Sequence, residues 1–165
     1  MPDTEPAARP PAARPLTTGE RALAISVFGN SIALDRVSIR CAKFWAFHPW
    51  WVTMAPDGDI WCHPNGDNWS ADFAKESLGG RAHFIHEMVH VWQRQQGVNL
   101  ILARPPLARY GYTLTPGKPL VRYGIEQQAC IVADAYMLRE GRTLPGRTLA
   151  DYAAVGDSFE PQTPG

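Results

Sequence analysis

The sequence predicts an α+β domain, a small, mainly antiparallel sheet with helices packed on it. Three observations carry this. Apolar residues recur at helical spacing in three separated stretches, strand-forming residues flank a turn sequence between the first two, and the elements run helix, strands, helix, loop, helix. A chain of 165 residues fits one domain, large enough to bury a working core.

The opening, MPDTEPAARPPAARP, is rich in Pro and Ala with no periodicity, so residues 1–15 are expected to form a disordered tail. Order is expected over 16–155, with 156–165 a flexible C-terminal tail. In LTTGERALAISVFGN, Thr17 followed three residues later by Glu20 is a capping box ahead of Leu23, Ile25, Val27 and Phe28, and Gly29-Asn30 ends that helix. RVSIRCAKF alternates Val37, Ile39 and Cys41 with polar neighbours, a half-buried strand. WWVTMAPDGDIWCHP places strand formers on both sides of Pro56-Asp57-Gly58-Asp59 and reads as a hairpin. A helix follows in GGRAHFIHEMVHVWQRQQG, flanked by Gly79-Gly80 and stopped by Gly97. After a loop rich in Pro and Gly, Ile125, Ala129, Val132, Ala133, Tyr136 and Met137 mark the last helix.

Composition narrows the function classes. Hydrophobic residues make up 45% and charged residues 19%, too apolar for a disordered chain. Sixteen basic residues balance sixteen acidic ones, so no long-range field draws in nucleic acid or an anionic membrane. No apolar run approaches the ~18–20 residues of a membrane span, and the N-terminus lacks the apolar core of a secretory signal. The expectation is a soluble protein made in the cytoplasm, with export by a signal-peptide-independent route left open. Cys41, Cys62 and Cys130 are an odd count without a C-x-x-C pair, against a disulfide framework and against a thiolate-only zinc site.

The chemistry concentrates in the middle helix. Residues i and i+4 stand one above the other, so His86 and His90 can aim imidazole nitrogens at one point, filling two of the four positions around a zinc ion. Glu87 lies about 100° round the helix, beside a metal without binding it, where its carboxylate can take a proton. Zinc lowers the pKa of its bound water to ~7, giving a nucleophile for a carbonyl at neutral pH. With five histidines in the chain, H-E-x-x-H arises by chance in roughly one such sequence in a hundred. A core role for the histidines is a poor competitor, because Phe84, Ile85, Met88, Val91 and Trp92 form a separate apolar stripe. His83, one turn earlier, is expected to support the site or face solvent.

A catalytic zinc keeps three protein ligands, and no histidine follows His90, so a carboxylate is implied. Glu126 is the first candidate, Asp134 the second, and Glu140 sits too near the end of the last helix; the plain alternative for each is a solvated charge. A tyrosine could steady the oxygen that becomes charged when water attacks a carbonyl. Tyr123 is the candidate catalytic tyrosine, with Tyr110 and Tyr112 open alternatives. Cys62-His63 reads as a strand end with a buried cysteine, a soft ligand being the sharper alternative. Trp45, Trp50, Trp51, Trp61 and Trp69 gather around the sheet, with Trp92 on the helix; core or groove packing is expected, and a substrate-binding surface is the alternative.

The run GRAHFIHEMVHVWQ resembles the zincin-like metallopeptidase domains of unknown substrate found in toxins of bacterial contractile injection systems, and in small proteins related to the spike protein of type VI secretion. Those domains read G-R-x-L-L-A-H-E-L-x-H-V-x-Q-Q, which Gly80, Arg81, His86, Glu87, His90, Val91 and Gln93 match, with Arg94 in place of the second glutamine. The similarity extends to LTTGERALAISVFGNSIALDRVSI and to GDIWCHPNG, covering most of residues 16 to about 137. The family's last helix often carries E-x-x-A-D; Glu126 and Ala129 fit it, and Cys130 replaces the aspartate, which weakens support for a ligand histidine unless Asp134 substitutes. The resemblance implies a minimal, gluzincin-like fold whose C-terminal helix supplies the third ligand, and whose last hairpin strand borders the cleft and could pair with an extended peptide. It implies a zinc metallopeptidase, possessing His86, His90 and Glu126 as metal ligands and Glu87 as base, that acts on a peptide or protein substrate and is linked to a secretion apparatus. The alternative is a non-catalytic binding or delivery module with a structural zinc site, since fold and function separate readily.

Overall fold

A four-stranded sheet packs against one long helix, and a second long helix packs along the first. The computed structural model describes residues 12–103 and 109–159. The elements are β1 (Ala13–Pro15), α1 (Thr18–Phe28), β2 (Ser38–Cys41), β3 (Thr53–Met54), β4 (Ile60–Cys62), α2 (Leu78–Gln95), α3 (Leu100–Ala103), α4 (Ile125–Arg139) and α5 (Ala153–Gly156), joined by short 3-10 turns. The class is mixed α+β, as expected. Strand order is β1-β2-β4-β3. The 53–62 hairpin forms as expected, and β1 with β2 is also antiparallel, but the central β2–β4 pair is parallel. The chain after β2 crosses to the far edge before returning as the hairpin, so β4 slots in beside β2 in the same direction.

Order begins earlier than the composition suggests. Ala13–Pro15 pairs with Ser38–Arg40, inside the stretch expected to be a tail. The cause is Arg14: its two terminal nitrogens each lie 2.8 Å from a carboxylate oxygen of Glu20, and Nη2 also donates to Ser70 O at 2.7 Å. Glu20 is fully buried, closes the capping box with Thr17, and accepts from Phe73 N at 2.8 Å, so one side chain caps α1 and ties down two loops. Buried charge survives because every lone pair direction is answered. Of the expected tails, 1–15 and 156–165, residues 1–11 and 160–165 lie outside the described residues, and Asp157–Phe159 forms a 3-10 turn whose Phe159 is buried against Phe28 and Trp92.

Side chains alternate along the sheet as the pleat requires. Ile39 and Ile60 are register partners facing the core, whereas Arg40 and Trp61 pair on the outer face with the guanidinium 4.9 Å from the ring. The core gathers Phe28, Ile39, Ile60, Phe84, Ile85, Met88, Val89 and Ile131, so the predicted apolar stripe of α2 is buried. Ser77, whose hydroxyl accepts from Gly80 N, caps α2, so Gly79-Gly80 begin the helix instead of flanking it. Gly80 is needed there: a Cβ would stand 2.6 Å from that of Glu76. Among the described residues no helix is long and apolar enough to cross a membrane.

Candidate metal centre

Helix α4 packs along α2, and the paired contacts give the direction. Going up α2 from Arg81 through His86 and His90 to Gln93, the partners on α4 run down from Tyr136 through Cys130 and Glu126 to the carbonyl of Ile125. The helices are therefore antiparallel, which brings the first turn of α4 against the last two turns of α2.

At that junction His86, His90 and Glu126 converge, each offering one ligand atom, all within 4.8 Å of one another. His86 Nε2 lies 3.3 Å and His90 Nε2 3.2 Å from the same oxygen, Glu126 Oε2. The tautomer of His90 follows from its neighbours. Gln93 Nε2 donates to Ile125 O at 3.0 Å, and a carbonyl can only accept, so the amide orientation is fixed with Oε1 turned to His90 Nδ1 at 2.9 Å. Nδ1 then carries the hydrogen, and Nε2 presents a lone pair to an anionic carboxylate. Two acceptors 3.2 Å apart require a positive charge between them, a proton or a metal ion. Burial alone disfavours charge on both groups; the hydrogen bonds and mutual attraction overcome it, holding the Glu126 carboxyl well below the usual range and raising the His90 imidazolium above its ordinary value.

Gln93 is the residue whose role the sequence did not disclose. It is 1% exposed, and its amide also donates to Gln128 Oε1 at 2.9 Å, while Gln128 Nε2 donates to Tyr123 O at 2.8 Å. These amides fasten α2 to the start of α4. Support for His86 is thinner: Cys130 Sγ stands 4.0 Å from Nδ1, and burial together with the charges of Asp134 and Glu126 pushes that thiol up to about 11.

Glu87 is buried yet lines the cleft, and its Oε2 has no hydrogen-bond partner among the described residues. His83 is not part of the triad; its Nε2 lies 3.0 Å from Thr53 Oγ1 and ties α2 to β3. Asp134 is also engaged elsewhere, in a cluster with Tyr112, Arg147 and Tyr152, in which Arg147 Nη1 reaches Asp134 at 2.5 Å and Tyr112 at 2.6 Å. Tyr123 stands away from the centre: its hydroxyl accepts from Thr115 N at 2.9 Å and it lines a separate hollow. Tyr110 and Tyr112 line the cleft instead, and the Tyr110 ring stacks on His86 with centroids 6.5 Å apart. Cys62 is fully buried, its thiol pushed up to about 12 chiefly by burial, and His63 Nδ1 accepts from Asn65 N; both stay in the sheet end, outside the triad.

The triad opens into a cleft of about 1030 Å³. Its sheet-side wall is β3, the edge strand, so the first strand of the hairpin borders it and the last is central.

No family profile matches the chain. It is 42% identical over 136 residues, 76% of its length, to the type VI secretion system spike protein VgrG2b of Pseudomonas aeruginosa, and spans 13% of that protein. The solved effector domain of P. aeruginosa VgrG2b superposes with a TM-score of 0.71 and 34% identity, covering 93% of this chain and 86% of the domain; the lower identity belongs to the wider alignment. A fold shared over 86% of that domain at 34% identity makes this chain a member of the VgrG2b effector-domain family.

Proposed function

We propose that the chain is a zinc-dependent hydrolase, a metallopeptidase, serving as an effector of type VI secretion, with His86, His90 and Glu126 holding the metal and Glu87 as general base. One observation carries the reading: the ligand atoms of two imidazoles and a carboxylate, His86, His90 and Glu126, converge within 4.8 Å of one another. Tetrahedral zinc with bonds of ~2.0–2.1 Å sets neighbouring ligand atoms ~3.3 Å apart, close to the two histidine–carboxylate separations of 3.3 and 3.2 Å, within a triad whose atoms all lie within 4.8 Å of one another. Two imidazoles and a carboxylate are the donor set of a catalytic rather than a structural zinc, leaving one position open.

When bound, zinc supplies a Lewis acid that polarises a carbonyl and makes water acidic. The chain's residues do the rest. Glu87, whose side chain lines the cleft, takes the proton of the attacking water on its carboxylate and returns it to the leaving nitrogen. Gln93 keeps the His90 lone pair aimed at the centre. Tyr110, on the cleft wall beside His86, is placed better than Tyr123 to steady developing negative charge. The secretion role rests on the family relationship; the substrates and partners of the whole spike protein belong to a polypeptide of which this chain matches 13%.

The test is metal content of the wild type and a His86→Ala variant, purified without chelator, alongside hydrolysis of an unfolded protein by the wild type and Glu87→Gln. One zinc per chain, lost in His86→Ala, with hydrolysis falling ~10²–10⁴-fold in Glu87→Gln at unchanged zinc content, supports the assignment. Wild-type protein without zinc, or a Glu87→Gln variant of full activity, refutes it.

A further inference from the structure

One surface segment departs from the rest. Between β2 and β3 the chain reads Phe44-Trp45-Ala46-Phe47-His48-Pro49-Trp50-Trp51, and Trp45, Phe47, Trp50 and Trp51 are 54%, 84%, 54% and 63% exposed. Four large aromatic rings left this open within seven residues are uncommon on a soluble surface and mark a binding function.

The segment is built to hold them there. His48, 3% exposed, pins its base: Nδ1 accepts from Phe44 N at 3.1 Å, which leaves Nε2 to donate to Val52 O at 2.7 Å. Asn68 Nδ2 donates to Trp51 O at 3.0 Å, and a Cβ on Gly66 would sit 2.0 Å from Trp50 O, so the backbone is clasped from the other side too. Turns fixed in this way keep the rings from folding back onto the core.

Phe44, Trp45 and Trp51 line the same cleft as His86, Glu87, His90 and Glu126, and so do Met54 of β3 and the half-exposed Ile101 of α3. The chemistry of this wall selects its occupant. From Phe44 to Pro56 the lining side chains offer the indole N–H groups of Trp45 and Trp51 and the hydroxyl of Thr53, which already bonds His83, and no carboxylate, amide or cationic group. A sugar ring stacked here would find indole donors but few acceptors for its hydroxyls on this wall, and an anionic group would find, among the described lining residues, no lysine and one arginine, Arg147, which is paired with Asp134. A bulky apolar side chain needs none of these, and the edge of β3 beside it can take the main chain of an extended peptide.

We infer that Phe44, Trp45, Trp51, Met54 and Ile101 form a specificity subsite that takes one large aromatic or branched apolar side chain of an extended peptide lying along β3. The inference rests on the hydrolase reading only in making that peptide the substrate; recognition needs no chemistry and is measured separately.

The experiment titrates the full-length Glu87→Gln chain, by calorimetry, with blocked peptides Gly-Gly-X-Gly-Gly in which X is Phe, Leu, Ser or Asp. The expected result is binding of the Phe and Leu peptides at least tenfold tighter than of the Ser and Asp peptides. Trp45→Ser and Trp51→Ser each remove most of that preference without moving the melting temperature, since both rings are more than half exposed. Phe47→Ser, the most exposed ring but not part of the cleft wall, leaves the preference intact. Equal binding of all four peptides overturns the inference, as does an unchanged preference in both tryptophan variants. Tighter binding of an N-acetylglucosamine tetramer, or of phosphatidylglycerol and phosphatidylethanolamine vesicles, than of the Phe peptide also overturns it. If the preference holds while the wild-type protein leaves the Phe peptide uncut, the subsite stands and the peptidase reading falls.

Discussion

Replacing Gln93 separates what holds the two helices together from what aims the His90 imidazole. In Gln93→Met two partners are stranded in a buried place: His90 Nδ1 loses its acceptor and Gln128 Oε1 its donor, while Ile125 O keeps its place in the α4 ladder. Each buried polar group left without a partner costs ~1–3 kcal/mol, so the loss is at least ~2 kcal/mol, a large part of the ~5–15 kcal/mol that stabilises a domain. The imidazole is also freed to turn or change tautomer, and the loss of such a supporting contact weakens metal binding ~10–100-fold. Gln93→Glu keeps an oxygen for His90 Nδ1 while losing the amide donor, so it is destabilised but binds zinc within a few-fold of wild type. Urea unfolding in excess chelator reads the first effect and competition with a fluorescent chelator at pH 7 reads the second. If Gln93→Met binds zinc as tightly as wild type, Gln93 does not orient His90 and the tautomer argument is wrong.

Three further outcomes are expected. In chelator, the raised His90 contributes stability that is fully present below its ordinary value of 6.5 and is lost as pH rises through its folded value, whereas the lowered Glu126 contributes above 4.5 and is lost on acidification. The urea midpoint of the metal-free protein is therefore highest between these values and falls toward pH 9. With zinc present the trend above pH 6 reverses, because the imidazoles must shed protons to bind. Tyr110→Phe lowers kcat by ~10–100-fold with zinc content unchanged, while Tyr123→Phe acts through stability alone, since its hydroxyl serves Thr115 N; equal kcat effects in a peptide-cleavage assay contradict this division. Removing zinc lowers the melting temperature without abolishing the cooperative transition, as followed by circular dichroism, because the α2–α4 interface keeps its amide network and its apolar core.

What was legible in the sequence is what local periodicity encodes. The i, i+4 spacing of His86 and His90, the capping box of α1 and the hairpin around Gly58 each depend on a few consecutive residues, and each stands as expected. Pairings between distant segments were legible only where chemistry demanded a partner. Glu126 was anticipated because two histidines need a third donor; Gln93 passed unassigned because a glutamine carries no such demand until its neighbours are known. Tyr123 lies close to Glu126 in sequence but precedes the helix, where the 3-10 turn at Leu120–Arg122 turns it toward Thr115. The strand at Ala13–Pro15 was hidden by its Pro/Ala composition, since its stability comes from Arg14 reaching Glu20 and Ser70. Five tryptophans beside the sheet were visible as a cluster, but whether such residues pack inward depends on the His48 clasp, which turns Trp45, Trp50 and Trp51 outward.

The same contacts weigh against a purely structural role for the metal. A staple is best served by four protein ligands, each firmly supported, in a closed shell. Among the described residues three converge, and support is uneven: His90 is locked by a fully buried amide, while His86, more exposed, has a thiol 4.0 Å away where a carboxylate would serve it better. Beside them Glu87 keeps a buried carboxylate oxygen with no hydrogen-bond partner among the described residues, an arrangement that costs stability. Stability alone would favour an apolar residue there. A carboxylate next to the histidine pair, opening into a cleft with an edge strand along one wall, is the arrangement that the proposed proton transfer requires.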